Sequence, residues 1–420
     1  MSQSAAFLLS ALKKDSPDLY NNLMLRLFGT GNQSAGISFV RFPIGSCDFS
    51  LREATWDDST FDYSLEKFAP DADSEVMLEI LGDAKKIQPD LALMATPWSP
   101  PAWLKKLGKI DGVNEENRLI NTTAAYRVYA EYLVKAAEVV EQRGLPLAYM
   151  SLQNEPYTPP GGGAIYPGMR MEPAEQVQLG ALVRERLPRS IKLLAWDHNW
   201  DHTEFPLEVL KDSEAGTFAG VAWHCYSGTM EQAYQKLQQA YPSLETHMTE
   251  CVALFANGAC DVSTGMRDFA VNHQWDMMNV FAGAAAHGAQ SGIKYALVAD
   301  ETCGPVLPEL HYWKRAIRPL VTIPSDARSM DDLIFQQDFW TMAHSGAQFI
   351  EPGAKRVAVT TSSGFPGFVE AFHNKRAKTV TLIALNWHKE EEVSAIVWHK
   401  GQPVSLTVPP RGTVIFQVLR

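Results

Sequence analysis

The stretch that decides the fold runs from Thr122 to Pro156 and reads TTAAYRVYAEYLVKAAEVVEQRGLPLAYMSLQNEP. Its first part predicts an amphipathic helix over Thr122–Arg143, which Asn121 or Thr122 caps and which Gly144 ends. Its second part, Leu147–Gln153, is a short apolar run of the kind found in buried strands. A long helix followed by a buried strand is the repeating unit of a parallel α/β fold.

The same alternation continues on both sides of this stretch. Further apolar runs predict strands at Ile37–Phe42, Leu91–Thr96, Lys192–Asp197, Phe218–His224, Glu245–Glu250 and Gly292–Val298. Helix-like stretches separate these runs, and one of them begins near Pro173 and stops before Pro188. Seven strand–helix units, with no clear place for an eighth, predict a (β/α)8 TIM barrel over residues 1–354 that lacks its first strand.

After residue 354 the pattern changes to strands joined by turn residues. The predicted strands are Arg356–Thr361, Gly367–Phe372, Thr379–Asn386, Glu392–Trp398, Val404–Val408 and Thr413–Leu419. Because no helical pattern separates them, we expect residues 355–420 to form a small antiparallel β-sandwich domain.

Composition excludes several classes of function. The 420 residues are 46% hydrophobic and carry a formal net charge of −11 without a basic cluster, which argues against disorder and against nucleic-acid binding. No apolar run is long enough for a membrane span. The five cysteines form no CxxC pair, so a zinc framework is not expected, and one or two disulfides remain open. The sequons at Asn32 and Asn121 are typical of secreted proteins, whereas the first ten residues do not read as a signal peptide.

Unusual polar and aromatic residues follow the predicted strands. They are Arg41, Trp98, Asn154-Glu155, Asp197-His198-Asn199, His224-Cys225-Tyr226 and Glu250. Residues in these positions meet at the C-terminal face of a barrel, where barrel enzymes carry out their chemistry. We therefore expect one site built from several strands.

Two carboxylates in this set indicate a reaction class. In Ser151-Leu-Gln-Asn-Glu-Pro156, Glu155 suits a proton donor to a glycosidic oxygen, and the amide of Asn154 suits a neighbouring sugar hydroxyl. Glu250 ends a strand nearly opposite, as a nucleophile in double displacement would. The alternative is a capping residue at Glu155 and a solvent-facing side chain at Glu250. The reaction requires Glu155 to hold its proton near neutrality while Glu250 stays ionised.

At this point the chain resembles glycoside hydrolase family 30, the family of glucosylceramidases and fungal β-1,6-glucanases. The motifs that carry the resemblance are Val40–Ser50, Thr96–Lys105, Gln153–Pro156, Trp196–Asn199, Ala222–Tyr226 and Met248–Cys251. The Asp197-His-Asn199 and Trp223-His-Cys-Tyr226 forms are nearer to the β-1,6-glucanase branch. The resemblance covers nearly the whole chain.

The resemblance implies a retaining mechanism with Glu155 as acid/base and Glu250 as nucleophile. It implies substrate-binding roles for Arg41, Asp48, Trp98, Asn154, Asp197, His198, His224, Tyr226 and Tyr295. For three of these a structural role is the alternative: a core salt bridge for Arg41, core packing for Trp98 and a helix cap for Asp48. It also implies neither cofactor nor metal, because His198 and His202, although four residues apart, have no evident third ligand.

Two departures from the family pattern limit the prediction. Where the family has tryptophans after its last barrel strand, this chain has Gly292–Val298, in which only Tyr295 is comparable, so the sugar preference stays open. The family's first strand, Gly-Phe-Gly-Gly, is also missing, and Ala5–Leu12 instead predicts a helix. We expect a truncated chain, with an open barrel or a strand supplied from elsewhere as alternatives. Gly161–Gly163 predicts a turn beside the acid/base loop.

The sequence therefore predicts a retaining, cofactor-free hydrolase of β-linked carbohydrate, first of all an endo-β-1,6-glucanase. The alternatives within the family are a glucosylceramidase, a β-xylosidase or a β-1,6-galactanase. The alternative from another class is a catalytically silent carbohydrate-binding protein on the same fold. The resemblance implies secretion, although with no signal peptide in the chain a cytoplasmic location is the other possibility.

Overall fold

The computed structural model describes residues 1–157, 166–254, 266–310, 317–361 and 365–419. The predicted turn at Gly161–Gly163 lies outside these ranges. Numbered along the chain, the helices are α1 (Gln3–Asp15), α2 (Pro17–Phe28), α3 (Ala72–Ile87), α4 (Thr123–Gln142), α5 (Pro173–Arg186), α6 (Glu204–Asp212), α7 (Met230–Ala240), α8 (Met266–Asn279), α9 (Ala282–Ala286) and α10 (Gln337–Ala343).

The strands follow the predicted alternation closely. In the first part of the chain they are β1 (Phe39–Ile44), β2 (Ala92–Pro97), β3 (Tyr149–Ser151), β4 (Lys192–Asn199), β5 (Gly220–His224), β6 (Glu245–Glu250), β7 (Ala253–Leu254), β8 (Ala289–Gly292), β9 (Val298–Ala299), β10 (Ile317–Arg318), β11 (Val321–Thr322) and β12 (Ile334–Phe335). In the last part they are β13 (Lys355–Val357), β14 (Gly367–Asn374), β15 (Thr379–Asn386), β16 (Val393–His399), β17 (Gln402–Val408) and β18 (Thr413–Leu419).

Across the described residues, seven parallel strands form one curled sheet in the order β1-β2-β3-β4-β5-β6-β8. Helices connect successive strands, as in a (β/α) barrel. The helix predicted from Thr122 is α4: the Thr122 side chain accepts a hydrogen bond from the Ala125 backbone nitrogen, and Tyr126, Tyr129 and Leu133 are buried. The barrel fold predicted from the sequence is confirmed.

The seventh predicted strand is wrong in its position. We predicted Gly292–Val298, but the strand that pairs with β6 is β8, which ends at Gly292. Val298 instead pairs with Val321 in a separate small sheet. Between Gly292 and Val298 the regular ladder ends: Ile293 and Tyr295 still donate single backbone hydrogen bonds to Met248 and Cys251, and Ala296 and Leu297 are buried outside any strand. An apolar run reports burial, and burial alone does not distinguish a strand from irregular chain.

The sheet has an open seam between its first and last strands. Within the described ranges its order begins at β1 and ends at β8. The predicted N-terminal helix is present as α1, which packs on α3, and the amino group of Met1 donates to the carbonyl of Arg41 on β1. A cavity of about 820 Å³ lies beside the starts of β1 and β8. The seam agrees with the predicted lack of a first strand, and truncation stays a prediction.

The last part of the chain is antiparallel, as predicted. One sheet has the order β13-β14-β15-β18, and β16 pairs with β17. The first of these strands is shorter than predicted, since β13 covers only Lys355–Val357. Phe372 and Ile383 pack against Met277 of α8, which attaches this sheet to the barrel helices. The boundary between residues 354 and 355 stays a prediction. No described helix has the length and apolar character needed to cross a membrane.

Candidate active site

Arg41 on β1 joins residues from three other parts of the sheet. Its Nη1 donates to Oε2 of Glu250 at 2.7 Å, and its Nη2 donates to Oδ1 of Asn154 at 2.6 Å and to Oδ2 of Asp197 at 2.9 Å. The guanidinium lies over the ring of Trp98, 4.6 Å from its centroid. Burial alone lowers the pKa of Arg41, but Asp197 and Glu250 outweigh it and raise the pKa above its ordinary value. The site therefore contains a permanent, buried positive charge.

Two bulges shape the C-terminal ends of β4 and β6. The register between β4 and β5 shifts at Asp197, and the register between β5 and β6 shifts at Thr249. Asp197 has a φ of 69°, a left-handed conformation that is uncommon for a residue other than glycine. The hydroxyl of Thr249 donates to Oδ1 of Asp197 at 2.7 Å. Bulges redirect side chains, and here the two bulged residues contact each other.

Asp197 lies below the site and is fully buried. Its carboxylate accepts hydrogen bonds from side chains on five other strands: Arg41, Thr96, Ser151, His224 and Thr249. Burial raises the pKa of Asp197, but Arg41 and His224 lower it well below its ordinary range, so it is ionised. His224 and Thr249 occupy its Oδ1, and the other three side chains occupy its Oδ2. That placement does not suit the predicted direct contact of Asp197 with a sugar.

Glu155 follows β3 with a φ of 46°, and its backbone nitrogen donates to the carbonyl of Asp197 at 3.1 Å. Its Oε1 lies 3.0 Å from Nδ1 of His224 and 3.6 Å from Nδ1 of His198. The hydroxyl of Tyr166 donates to its Oε2 at 3.3 Å. Left-handed backbone at a bulky residue is strained, and such strain occurs mostly where function requires it.

The proton near Glu155 is on the neighbouring imidazole. Burial lowers the pKa of His224, but Glu250, Asp197 and Glu155 raise it to about 9, so the ring is charged at neutral pH and donates from both nitrogens. Burial raises the pKa of Glu155, but the charged groups of His224 and Arg41 lower it below its ordinary value. These neighbouring charges favour the ionised form of Glu155 in the substrate-free site, and its protonation when substrate is bound stays a prediction. Burial lowers the pKa of His198 to about 4, which leaves that ring neutral.

Glu250 is held at both oxygens. Its Oε1 accepts from the hydroxyl of Tyr226 at 2.9 Å, and its Oε2 accepts from Arg41. Burial of the hydroxyl end and the adjacent Glu250 raise the pKa of Tyr226 well above its ordinary value, so Tyr226 donates. The Oε1 of Glu250 also lies 4.0 Å from Nδ1 of His224, the same nitrogen that contacts Glu155. Glu155 and Glu250 thus both lie beside the same nitrogen of His224.

A third group of predicted residues lies beside Arg41. The hydroxyl of Tyr295 donates to Oδ1 of Asp48 at 2.9 Å. Burial and the charge of Glu250 raise the pKa of Asp48 to about 7. Trp98 is 3% exposed and packs in the same cluster as Tyr295, so core packing is a real part of its role.

The site also contains potential metal ligands. Donor atoms of Glu155, His198 and His224 lie within 4.8 Å of one another. His202, which the sequence pairs with His198, instead contacts Glu204 at 3.0 Å. Two of the three potential ligands, Glu155 and His224, are also hydrogen-bonded to each other at 3.0 Å.

Several residues of the site were not predicted. Ser151 and Thr249 support Asp197, and Tyr166 contacts Glu155. Thr249 directly precedes Glu250, and Ser151 ends β3 four residues before Glu155, so a small polar residue near each predicted acid is a usable signal. Tyr166 had none, because it lies eleven residues after Glu155 along the chain.

The structure answers the open question of which described cysteines are disulfide-bonded. Cys225 and Cys251 form a disulfide, Cys303 is also disulfide-bonded, and Cys47 is a buried free thiol. Cys225 follows His224, and Cys251 follows Glu250. One crosslink therefore joins the two strands at the residues adjoining the site.

Comparison with known proteins places the chain in a family. The family model described as the glycosyl hydrolase family 30 TIM-barrel domain matches residues 1–309. An endo-1,6-beta-D-glucanase of Neurospora crassa is 31% identical over 239 residues, covering 54% of this chain and 48% of the relative. One from Trichoderma harzianum is 32% identical over 231 residues, covering 52% of this chain and 46% of the relative. The chain thus spans about half the length of these curated relatives.

A solved structure has the same fold along the whole chain. It is that of an endo-beta1,6-glucanase, with a TM-score of 0.84 and 23% identity, covering 100% of this chain and 90% of that one. At this identity the likeness shows the fold alone, whereas the family model matches the barrel residues directly. The chain belongs to glycosyl hydrolase family 30.

Proposed function

We propose that this protein hydrolyses β-1,6-linked glucan with retention of anomeric configuration, using Glu155 as acid/base and Glu250 as nucleophile. The observation that carries the proposal is the contact of both carboxylates with Nδ1 of His224 at the C-terminal ends of the strands. Retaining glycosidases place two carboxyl groups about 5–5.5 Å apart. Support for the linkage comes from the matched relatives, which are named endo-1,6-beta-D-glucanases.

In the first step Glu250 attacks the anomeric carbon of the bound sugar. Its oxygens are held by Arg41 and by Tyr226, so the carboxylate is aimed before the substrate arrives. The bond from carbon to the leaving oxygen breaks as the bond to Glu250 forms, which gives a covalent glycosyl-enzyme. The cationic Arg41 keeps the nucleophile ionised.

The leaving oxygen needs a proton, and His224 supplies it through Glu155. In the resting site the imidazolium shares its Nδ1 proton with Oε1 of Glu155. A sugar that fills the cleft displaces water, and this desolvation raises the pKa of Glu155. The proton then moves from His224 to the carboxylate and from there to the leaving oxygen. In the second step Glu155 takes a proton from the attacking water, and the intermediate is hydrolysed.

The remaining residues divide into sugar ligands and supports. Asn154, Asp48, Trp98, His198 and Tyr295 have polar or aromatic groups beside the two carboxylates and suit contacts with the sugar that is cleaved. Asp197 instead orients Arg41 and His224 from below, so we assign it as a positioning residue. These steps use side chains of this chain alone.

Two alternatives are weaker. A silent carbohydrate-binding protein would not need two carboxylates set around one charged imidazole. Among the other specificities of the family, the matched glucosylceramidases are less identical in sequence to this chain than the matched endo-1,6-beta-D-glucanases are. Two disulfide-bonded sites, at Cys225 and at Cys303, suit an oxidising compartment, and we propose that the protein acts outside the cytosol.

The test is product analysis on a panel of linear β-1,6-, β-1,3- and β-1,4-glucans and aryl β-glycosides. We expect cleavage of the β-1,6-linked polymer, with a β-anomer as the first product by proton NMR. An α-anomer would contradict the retaining mechanism. Preferential cleavage of another linkage would contradict the proposed substrate and leave the mechanism standing.

A further inference from the structure

We propose that the Cys225–Cys251 disulfide is a positioning element for the nucleophile, and that its reduction lowers turnover while the fold remains intact. The proposal rests on the proposed roles of Glu250 and Tyr226. It assigns to this crosslink an effect on the reaction in addition to any effect on stability.

The first observation is that the β-ladder ends at the point where the reacting residues begin. Strands β5 and β6 pair in register from Gly220–Glu245 to Trp223–Met248, and the register then shifts so that His224 pairs with Glu250. Both strands end at this pair. A bulge disrupts the ladder locally, so backbone pairing at this end constrains Glu250 less than regular pairing would.

The disulfide lies one residue beyond that pair. Cys225 and Cys251 have Cα atoms 5.3 Å apart, and Cys251 is fully buried. A covalent bond thus continues the pairing of the two strands past the bulge. It fixes the relative position of the segments that carry His224 and Glu250 where hydrogen bonds of the ladder stop.

The two cysteines adjoin further residues of the site. Tyr226 follows Cys225, and its hydroxyl is 2.9 Å from Oε1 of Glu250, which precedes Cys251. The hydrogen bond and the disulfide therefore close a small ring across the two strands. On the other side, the carbonyl of Cys251 accepts from the backbone nitrogen of Tyr295 at 3.0 Å. A shift of Cys251 would therefore displace both Glu250 and Tyr295, and Tyr295 donates a hydrogen bond to Asp48.

A crosslink that only stabilises the fold would lower the melting temperature when removed and leave the folded enzyme as active as before. A positioning role predicts a lower kcat in molecules that are still folded, because a misplacement of about 1 Å in a reacting group can cost about 100-fold in rate. KM should change less than kcat, since the sugar ligands Trp98, Asn154 and His198 belong to β2, β3 and β4 or the residues just after them, which this bond does not join.

The experiment compares the wild type, the double variant Cys225→Ala/Cys251→Ala and the control Cys303→Ala, which removes a different disulfide. At a temperature where circular dichroism shows all three folded, we expect the double variant to lose about 10- to 100-fold in kcat with KM within about 2-fold. Labelling of Glu250 by a cyclitol epoxide should slow by a similar factor. The control should keep kcat within about 3-fold of the wild type.

Reduction of the folded wild type gives a second measurement if the double variant does not fold. Dithiothreitol transfers two electrons and two protons to the disulfide, which becomes two thiols while the reagent closes to its cyclic disulfide. We expect kcat to fall on reduction and to return on reoxidation, and the control variant should respond in the same way. An unchanged kcat in fully reduced, folded protein would overturn the proposal.

A crystal structure of the double variant separates this proposal from the proposed function. We expect the contact between Tyr226 and Glu250 to lengthen or break, which needs no turnover to observe. If that contact and the register of β5 and β6 are unchanged, the disulfide is not a positioning element, whatever the activity. If the wild type is neither active nor labelled, the proposed function fails, and the crystal structure still decides the structural claim.

Discussion

His224 bridges two carboxylates with its two ring nitrogens. Its Nε2 lies 3.1 Å from Oδ1 of Asp197, and its Nδ1 lies 3.0 Å from Oε1 of Glu155. The imidazolium is fully buried, as is Asp197. This arrangement connects Glu155, the proposed acid/base, to a carboxylate that also orients Arg41, so in the proposed mechanism proton transfer and the orientation of Glu250 depend on the same buried charges.

Glu250→Gln should abolish turnover of every substrate, including those with good leaving groups, because no glycosyl-enzyme can form. We expect a loss of about 10⁴-fold in kcat, measured with an aryl β-glucoside. Glu245→Gln on the same strand is the matched control, since Glu245 contacts Lys192 and His247 at the other end of β6. Turnover by Glu250→Gln within about 10-fold of the wild type would assign the nucleophile to another residue.

Glu155→Gln should behave differently. A nitrophenol leaves without much protonation, so the first step should survive with that substrate, while glucan cleavage should fall by about 10²- to 10⁴-fold. Azide should restore turnover of the nitrophenyl substrate by attacking the intermediate without a base, giving a glycosyl azide that chromatography detects. If azide gives no rescue and both substrates lose activity equally, Glu155 is not the acid/base.

Asp197→Asn should lower both activity and stability. The amide cannot accept from Arg41 and His224 as the carboxylate does, and breaking a buried ion pair typically costs about 3–5 kcal/mol of unfolding free energy. We expect kcat on an aryl glucoside to fall by about 10²-fold or more, with a lower melting temperature. A variant with normal stability and normal kcat would show that the buried network does not position the site.

The charge of His224 predicts a dependence of stability on pH. Its pKa is about 9 in the folded protein, above the ordinary value of 6.5. A raised pKa stabilises the folded state fully below pH 6.5 and loses that effect as pH rises through about 9, which amounts to roughly 3 kcal/mol. Urea unfolding at pH 6.5 and pH 9.5 should show this difference in the wild type and a smaller one in His224→Gln. If the unfolding free energy changes by the same amount between these pH values in both proteins, the stabilising proton is not on His224.

A crystal structure should show the carboxyl groups of Glu155 and Glu250 about 5–5.5 Å apart, as retention requires. We expect this separation because both carboxylates lie near the same nitrogen of His224. A separation in the inverting range of about 6.5–9.5 Å would leave room for a water between them and contradict the proposed covalent intermediate.

Much of the fold followed from local patterns in the sequence. The buried face of α4 has helical periodicity and β5 lies in a short apolar run, and both patterns depend only on near neighbours in the chain. The same patterns placed Glu155 and Glu250 at strand ends, and hence on one face of the barrel. These assignments need no knowledge of distant residues, which is why the strands of the barrel sheet other than the seventh lie close to their predicted positions.

The details of the site depended on contacts between distant residues. Three features arise from how neighbouring strands fit together. They are the register shifts at Asp197 and Thr249, the pairing of Cys225 with Cys251, and the early end of β8 at Gly292. The location of the proton shared by Glu155 and His224 also depends on contacts between distant residues. It depends on charges from β1, β3, β4 and β6 that meet around His224 only in the folded protein, because electrostatic interactions in a buried site act through space and not along the chain.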